Sequence, residues 1–255
     1  LQCRLIAGAA ERLQEMEHRL APPAGLPSSE PPLAMGPSLV LEAEGLSYAY
    51  DAGFTLGPVH LRAHGGEVVI IRGGNGSGKT TLMRTLAGLY PASGGTIRLN
   101  GRRITAAELP WYQSHISAIF VDQYLFGAPY GLDADPEEVH SLLERFGLQD
   151  VVELREGRFT RTALSSGQRK RLAMVVALLE RRPIMILDEW DSHQDPGLRA
   201  FYYDTLLPEL RAKGMIVLAV SHDERRFDLG DQLLHLEGGQ VVPPPERPGP
   251  GEQEG

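Results

Sequence analysis

One cysteine, Cys3, stands in a chain of 255 residues. A lone thiol cannot close an intramolecular disulfide, so no disulfide framework holds the fold, and the composition suits a reducing compartment. Basic residues are also in short supply: 25 Lys and Arg face 33 Asp and Glu, for a net charge of -8. That balance argues against a nucleic-acid partner, which needs a basic face, while leaving room for a local basic pocket that holds phosphate. No stretch approaches the roughly 20 apolar residues that cross a bilayer. No charged-then-apolar secretion signal opens the chain. It starts at Leu1 rather than Met, which points to a fragment or a processed product.

What is present is enough for a sizeable core, with 42% hydrophobic residues and a length that suits one or two domains. Residues 1–20 read as an amphipathic helix, with Leu5, Ala9, Leu13, Met16 and Leu20 at three- and four-residue steps. Residues 21–38 (APPAGLPSSEPPLAMGPS) are rich in Pro, Ser and Gly and read as a linker; residues 243–255 read as a disordered tail. The folded body is expected over 39–242.

Within it, Leu39–Tyr50, Val59–Ala63, Glu67–Arg72 and Thr96–Leu99 read as strands, with Gly65-Gly66 as a hairpin turn and a turn at Asn100-Gly101 closing the last strand. Ile116–Val121, Ile184–Leu187 and Ile216–Val220 are short continuous apolar runs, expected for strands buried on both faces. Helices are expected over Thr80–Leu89, Ser166–Glu180 and Gly197–Lys213. Residues 133–164 lack such a buried run and read as an inserted helical subdomain. Asp135-Pro136-Glu137-Glu138 is a helix start, with a cap, a first-turn proline and acids at the positive end. Val139, Leu142, Leu143 and Phe146 form that helix's apolar face.

Gly73–Thr80 reads GGNGSGKT, matching G-x-x-x-x-G-K-[ST] between a strand and a helix. The backbone N–H groups of Gly73, Gly74, Asn75, Gly76, Ser77 and Gly78 suit a cradle for phosphate oxygens, reinforced by the helix N-terminus with Thr81 in its first turn. Lys79 supplies a point charge to β- and γ-phosphates, and the Thr80 hydroxyl suits Mg²⁺. Ile184–Glu189 reads IMILDE, a buried strand ending in two carboxylates. Asp188 suits a divalent cation beside Thr80; Glu189 suits a general base on the attacking water. These are the Walker A and Walker B elements of a P-loop NTPase, with ATP and Mg²⁺ as the implied cofactors.

Leu164–Gln168 reads LSSGQ and opens the helical stretch RKRLAMVVALLE. Lying between the two Walker elements, it resembles the signature of the ABC ATPases, and the resemblance covers residues 39–242. It implies an α/β P-loop core with an antiparallel β-subdomain and an inserted helical subdomain. It further implies that Leu164, Ser165, Ser166, Gly167 and Gln168 act in trans, on ATP held by a second copy or relative. Asp195 in SHQD takes the D-loop position, and His222 takes the place of the switch histidine that contacts the γ-phosphate. Tyr50 resembles the aromatic that stacks on adenine, with Tyr48 as the alternative on the same strand face. The Q-loop departs from the pattern: Leu125-Phe126 places Val121 where glutamine is usual, leaving Gln123 or Asp122 to reach the cation. Gln123 is favoured because another carboxylate would add repulsion.

The stretch from LSSGQ through DEWDSHQDP to FYYDTLLPEL looks like exporters of cyclic peptides and peptide siderophores. That resemblance implies a homodimer on the cytoplasmic face of the inner membrane, with a transmembrane domain upstream of Leu1. The alternatives are a separate ATPase subunit of an importer and an ABC protein with no transport role.

Overall fold

The computed structural model describes residues 33–51, 53–121, 128–129, 132, 134–161, 163–192, 194–221, 223, 226, 229–243. The expected helix over 1–20, the tail beyond Pro243, and Asp122, Gln123, His193 and His222 lie outside the described residues.

Two sheets carry the fold. The first is antiparallel, in the order β2 (Thr55–His64), β1 (Val40–Ala49), β4 (Gly94–Leu99), β5 (Arg102–Arg103). The second runs β12 (Gln240–Val242), β11 (Gln232–Glu237), β3 (Val68–Arg72), β10 (Ile216–Val220), β9 (Ile184–Asp188), β6 (Ile116–Ile119). Its strands are parallel except for β12, which returns against β11. The turn at Gly65-Gly66 therefore joins strands of different sheets and is not a hairpin. Asn100-Gly101 does close a hairpin, with positive φ at both residues.

Alternation along β3 shows how one apolar run serves two cores. Val69 and Ile71 face the layer shared with the antiparallel sheet and helix α1 (Lys79–Leu86), where Leu41, Leu56, Leu82 and Leu86 are buried. Val68 and Ile70 face the opposite layer, built on helix α4 (Ser166–Leu179) and the segment after β9. Continuous hydrophobicity is what a strand covered on both faces requires.

Between β5 and β6 lies the short helix α2 (Leu109–Gln113). The inserted region holds α3 (Pro136–Arg145), capped by Asp135 through the Glu137 N–H at 3.0 Å. It also holds a short two-stranded ribbon, β7 (Leu154–Arg155) and β8 (Arg158–Phe159), which the reading of a helical insert without a buried strand did not name. The helical stretch after β9 is three pieces in one rod: α5 (Pro196–Phe201), a wider π-wound turn over Tyr202–Leu206, and α6 (Leu207–Ala212).

The described end of the stretch read as a linker, 21–38, packs on the folded body. The Gly36 N–H donates to Gly214 O at 2.9 Å, and Leu39 N–H donates to Gly36 O at 2.9 Å. A Cβ on Gly65 would fall 1.9 Å from Gly36 O and 2.7 Å from Gly214 O. The backbones of three glycines pack against each other there, a use of glycine that composition cannot distinguish from a flexible linker. Two further differences concern strand ends. β6 stops at Ile119, and Val121 is 52% exposed in a turn rather than ending a buried run. β1 stops at Ala49, so Tyr50 lies just past the strand, with its ring edge-on to that of Tyr48 at 4.9 Å.

Candidate nucleotide site

The loop from β3 to α1 is built for close backbone approach. Gly73 sits at φ 149, and a Cβ there would meet Leu236 O at 2.2 Å and Ser77 Oγ at 2.5 Å. Gly78 caps α1 in the left-handed region at φ 103. Lys79 is 6% exposed, and its ammonium folds back on the carbonyls of Gly73 and Gly74 at 2.8 and 2.9 Å. Burial lowers its pKa, opposed by the charges of Glu189 and Asp188.

Opposite, β9 delivers Asp188 fully buried, and the Thr80 hydroxyl donates to its Oδ2 at 2.9 Å. Burial raises the Asp188 pKa; the Thr80 bond lowers it and nearby Glu189 raises it further. Asp188 Oδ1 and Ser77 Oγ are buried with no hydrogen-bond partner among the described residues. Hard oxygen donors left unpaired between a lysine and a threonine hydroxyl fit a divalent cation and a phosphate group.

Glu189 follows at φ 52, a left-handed backbone that costs a non-glycine residue on the order of 1–3 kcal/mol. It lines the same cavity, of about 340 Å³, with Tyr50, Phe54, Asn75, Gly76, Ser77, Gly78, Lys79, Thr80 and Thr81. Of the two candidate aromatics, Tyr48 stacks on Tyr90 at 5.0 Å, while Tyr50 faces the cavity with its hydroxyl 3.3 Å from Thr81 Oγ1. Phe54, 6.1 Å from Tyr50, is a cavity residue that the sequence reading missed.

The model of the ABC transporter family matches residues 56–192. The chain belongs to the ABC transporter family. It is an ATP-hydrolysing domain of that family, and its neighbours agree. ATP-binding protein SyrD of Pseudomonas syringae pv. syringae is 42% identical over 75% of this chain and 35% of its own length. Energy-coupling factor transporter ATP-binding protein EcfA1 of Streptococcus sanguinis is 32% identical over 79% of this chain and 77% of its own. Mycobactin import ATP-binding/permease protein IrtB of Mycolicibacterium thermoresistibile is 29% identical over 79% and 37%. This ABC domain thus spans about a third of the length of SyrD and IrtB. Among solved structures, cbiO1 from Clostridium perfringens, part of the ABC transporter complex cbiONQ, superposes with a TM-score of 0.64 at 26% identity, covering 80% of this chain and 86% of that one. No described helix of the domain is long and apolar enough to cross a membrane.

The LSSGQ residues lie apart from the cavity. Leu164 is buried, whereas Ser165 and Ser166 are exposed at the start of α4. Ser165 and Gln168 bond each other's backbone reciprocally, at 3.3 and 3.0 Å, in a capping box. Those two side chains are thereby engaged within the helix start, leaving the Ser166 hydroxyl and the Gly167 backbone as its outward groups. Asp195 likewise caps α5, accepting from Leu198 N–H at 2.9 Å. His222 and Gln123 lie outside the described residues, but Ser221 is buried and its neighbourhood is ordered by polar contacts. The sequence reading also passed over Lys170, Asp191 and Tyr203, which stand behind Glu189 and are joined to it through the loop after β9.

Proposed function

We propose that two copies of this domain close head to tail around two ATP molecules and drive transport across a membrane. The observation that carries this reading is a separation. The cavity holding Lys79, Thr80 and Glu189 is lined by no LSSGQ residue, while the LSSGQ helix start stands exposed elsewhere on the chain. Each half supplies what the other lacks.

In the closed pair, the loop over Gly73–Gly78 wraps the phosphates, Lys79 leaves the loop carbonyls for phosphate oxygens, and Tyr50 and Phe54 meet the base. Thr80 and Asp188 would hold Mg²⁺, which supplies charge neutralisation to the phosphates. Glu189 accepts a proton from the attacking water. Ser166, Gly167 and the N-terminus of α4 arrive from the other copy, where unpaired N–H groups suit a γ-phosphate. His222 and Gln123 are assigned the γ-phosphate contact and the cation-facing position, and Asp195 the contact between copies.

Relatives named ATP-binding/permease proteins support a transmembrane partner for this domain, which we assign to the cytoplasmic face of the membrane. Export of a cyclic peptide or siderophore is the cargo reading suggested by DEWDSHQDP. EcfA1 supports a second arrangement, a separate ATP-binding subunit, because this chain matches 77% of that protein's length.

Complementation tests the shared site. Lys79→Ala removes the phosphate lysine and Ser166→Arg blocks the helix start, so each variant alone should be inactive. Mixed, they form one intact composite site, and ATPase activity should return to a sizeable fraction of the parent rate. Mixtures as inactive as the separate variants would sink the shared-site reading.

A further inference from the structure

Glu189 has to point its carboxylate from a left-handed backbone, and something must hold that backbone in place. The residue that does so comes from the LSSGQ helix. Lys170, in the second turn of α4, is 5% exposed, and its ammonium donates to the Glu189 carbonyl. The same ammonium reaches the Ser192 hydroxyl and, at 3.2 Å, the Ser192 carbonyl. Ser192 Oγ donates to the Glu189 carbonyl at 2.7 Å, closing a small ring around that oxygen. On the other side, Trp190, fully buried, donates from its indole N–H to the Lys170 carbonyl at 2.9 Å. The turn that presents Glu189 is therefore gripped by one residue of α4, through both its side chain and its backbone.

The chemistry of the grip is specific. An ammonium has three donors and no acceptor, and here oxygens of Glu189 and Ser192 take them. Burial lowers the Lys170 pKa, while the charges of Asp191, Glu189 and Asp188 raise it. An aliphatic side chain could fill this space and would cost less to bury, so packing does not explain the lysine. Its position does: α4 begins with the groups that meet the other copy's γ-phosphate and reaches, by Lys170, the carbonyl of its own chain's Glu189.

We infer that Lys170 is a positioning residue for hydrolysis, clamping the Glu189 backbone so that the aim of the general base depends on the seating of the LSSGQ helix. This rests on the shared-site reading above.

The mixed pair of Lys79→Ala and Ser166→Arg chains tests it, because the single intact site takes Glu189 from the Ser166→Arg chain and LSSGQ from the Lys79→Ala chain. Lys170→Met keeps length and apolar bulk while deleting the donors. Added to the Ser166→Arg chain, it should lower kcat about ten- to a hundred-fold with KM for ATP little changed, since a misaimed base affects chemistry more than binding. Added to the Lys79→Ala chain, whose Glu189 is silent, it should leave the rate within about twofold. Equal losses in the two placements, loss only in the second, or no loss in either would overturn the clamp. Failure of the parent mixture to regain activity strikes the shared site instead. The clamp is then read in the otherwise unaltered chain, where Lys170→Met must still lower kcat at unchanged ATP affinity, and an unchanged kcat overturns it.

Discussion

The hydroxyl of Tyr203 donates to the carboxylate of Asp191 at 2.6 Å, in the interior of the protein. Ser221, the last residue before His222, joins them: its Oγ donates to the same carboxylate oxygen at 3.1 Å and lies 2.5 Å from the Tyr203 hydroxyl. Asp191 belongs to the loop after Glu189, Tyr203 to the π-wound turn, and Ser221 to the end of β10. One buried carboxylate therefore ties together the two strand ends assigned to the hydrolytic chemistry. Tyr203 stays protonated at any working pH, because burial and the Asp191 charge push its pKa far up.

Tyr203→Phe keeps the ring and deletes the donor, leaving Asp191 with Ser221 alone from this group. The expected loss is about 1–3 kcal/mol, the usual penalty for an unsatisfied buried acceptor. Urea denaturation measures it as a lower midpoint at an unchanged slope. A midpoint equal to the parent's would show that water or another group satisfies the carboxylate as well.

Asp188→Asn should stabilise the nucleotide-free protein at neutral pH. Burial holds the native Asp188 carboxyl above its ordinary value, opposed by the Thr80 hydroxyl and reinforced by Glu189. Between the ordinary and the raised value the folded chain binds more protons than the unfolded one, so stability falls as pH rises through that window and stays reduced above it. Asparagine carries no such penalty and still accepts from Thr80. Each kcal/mol recovered raises Tm by about 2–4 °C for a domain of this size. The gain should shrink toward pH 4, and with MgATP the order should reverse, because the amide is a poorer cation ligand. Thermal melts at pH 4 and pH 7.5, with and without MgATP, decide it; a lower Tm for the apo variant at pH 7.5 would contradict the argument.

We place the folded boundary before Leu39. A chain truncated to start at Leu33 should melt above one that starts at Leu39, since the latter loses the Gly36–Gly214 bond and the packing of Leu33 and Met35. The difference expected is about 1–3 kcal/mol for partly buried Leu and Met side chains. ATP binding should survive in both. Identical melting curves would return residues 33–38 to the linker.

Much of the nucleotide site was legible because it is local. GGNGSGKT lies in one loop, and IMILDE is one strand whose last residue must emerge at the sheet's end; backbone geometry and alternation suffice for both. Family membership was legible for the same reason, through motifs whose order along the chain carries the information. What one chain could not show in its sequence was every relation between segments distant in sequence. Gly36, Gly65 and Gly214 looked like linker and turn residues until the fold pressed their backbones together. Tyr50 had Tyr48 as its alternative until the fold stacked Tyr48 on Tyr90 and set Tyr50 in the cavity wall. Nothing in the sequence set Lys170 apart from the other charges of its helix, or Tyr203 from the other aromatics. Hydrogen bonds across 19 and 12 residues gave them Glu189 and Asp191 as partners. Sequence alone determined which residues could carry phosphate chemistry, since that depends on residue type and local spacing. Tertiary structure alone decided which of them are held, and by what, because a buried ammonium or carboxylate takes its role from the groups that folding places around it.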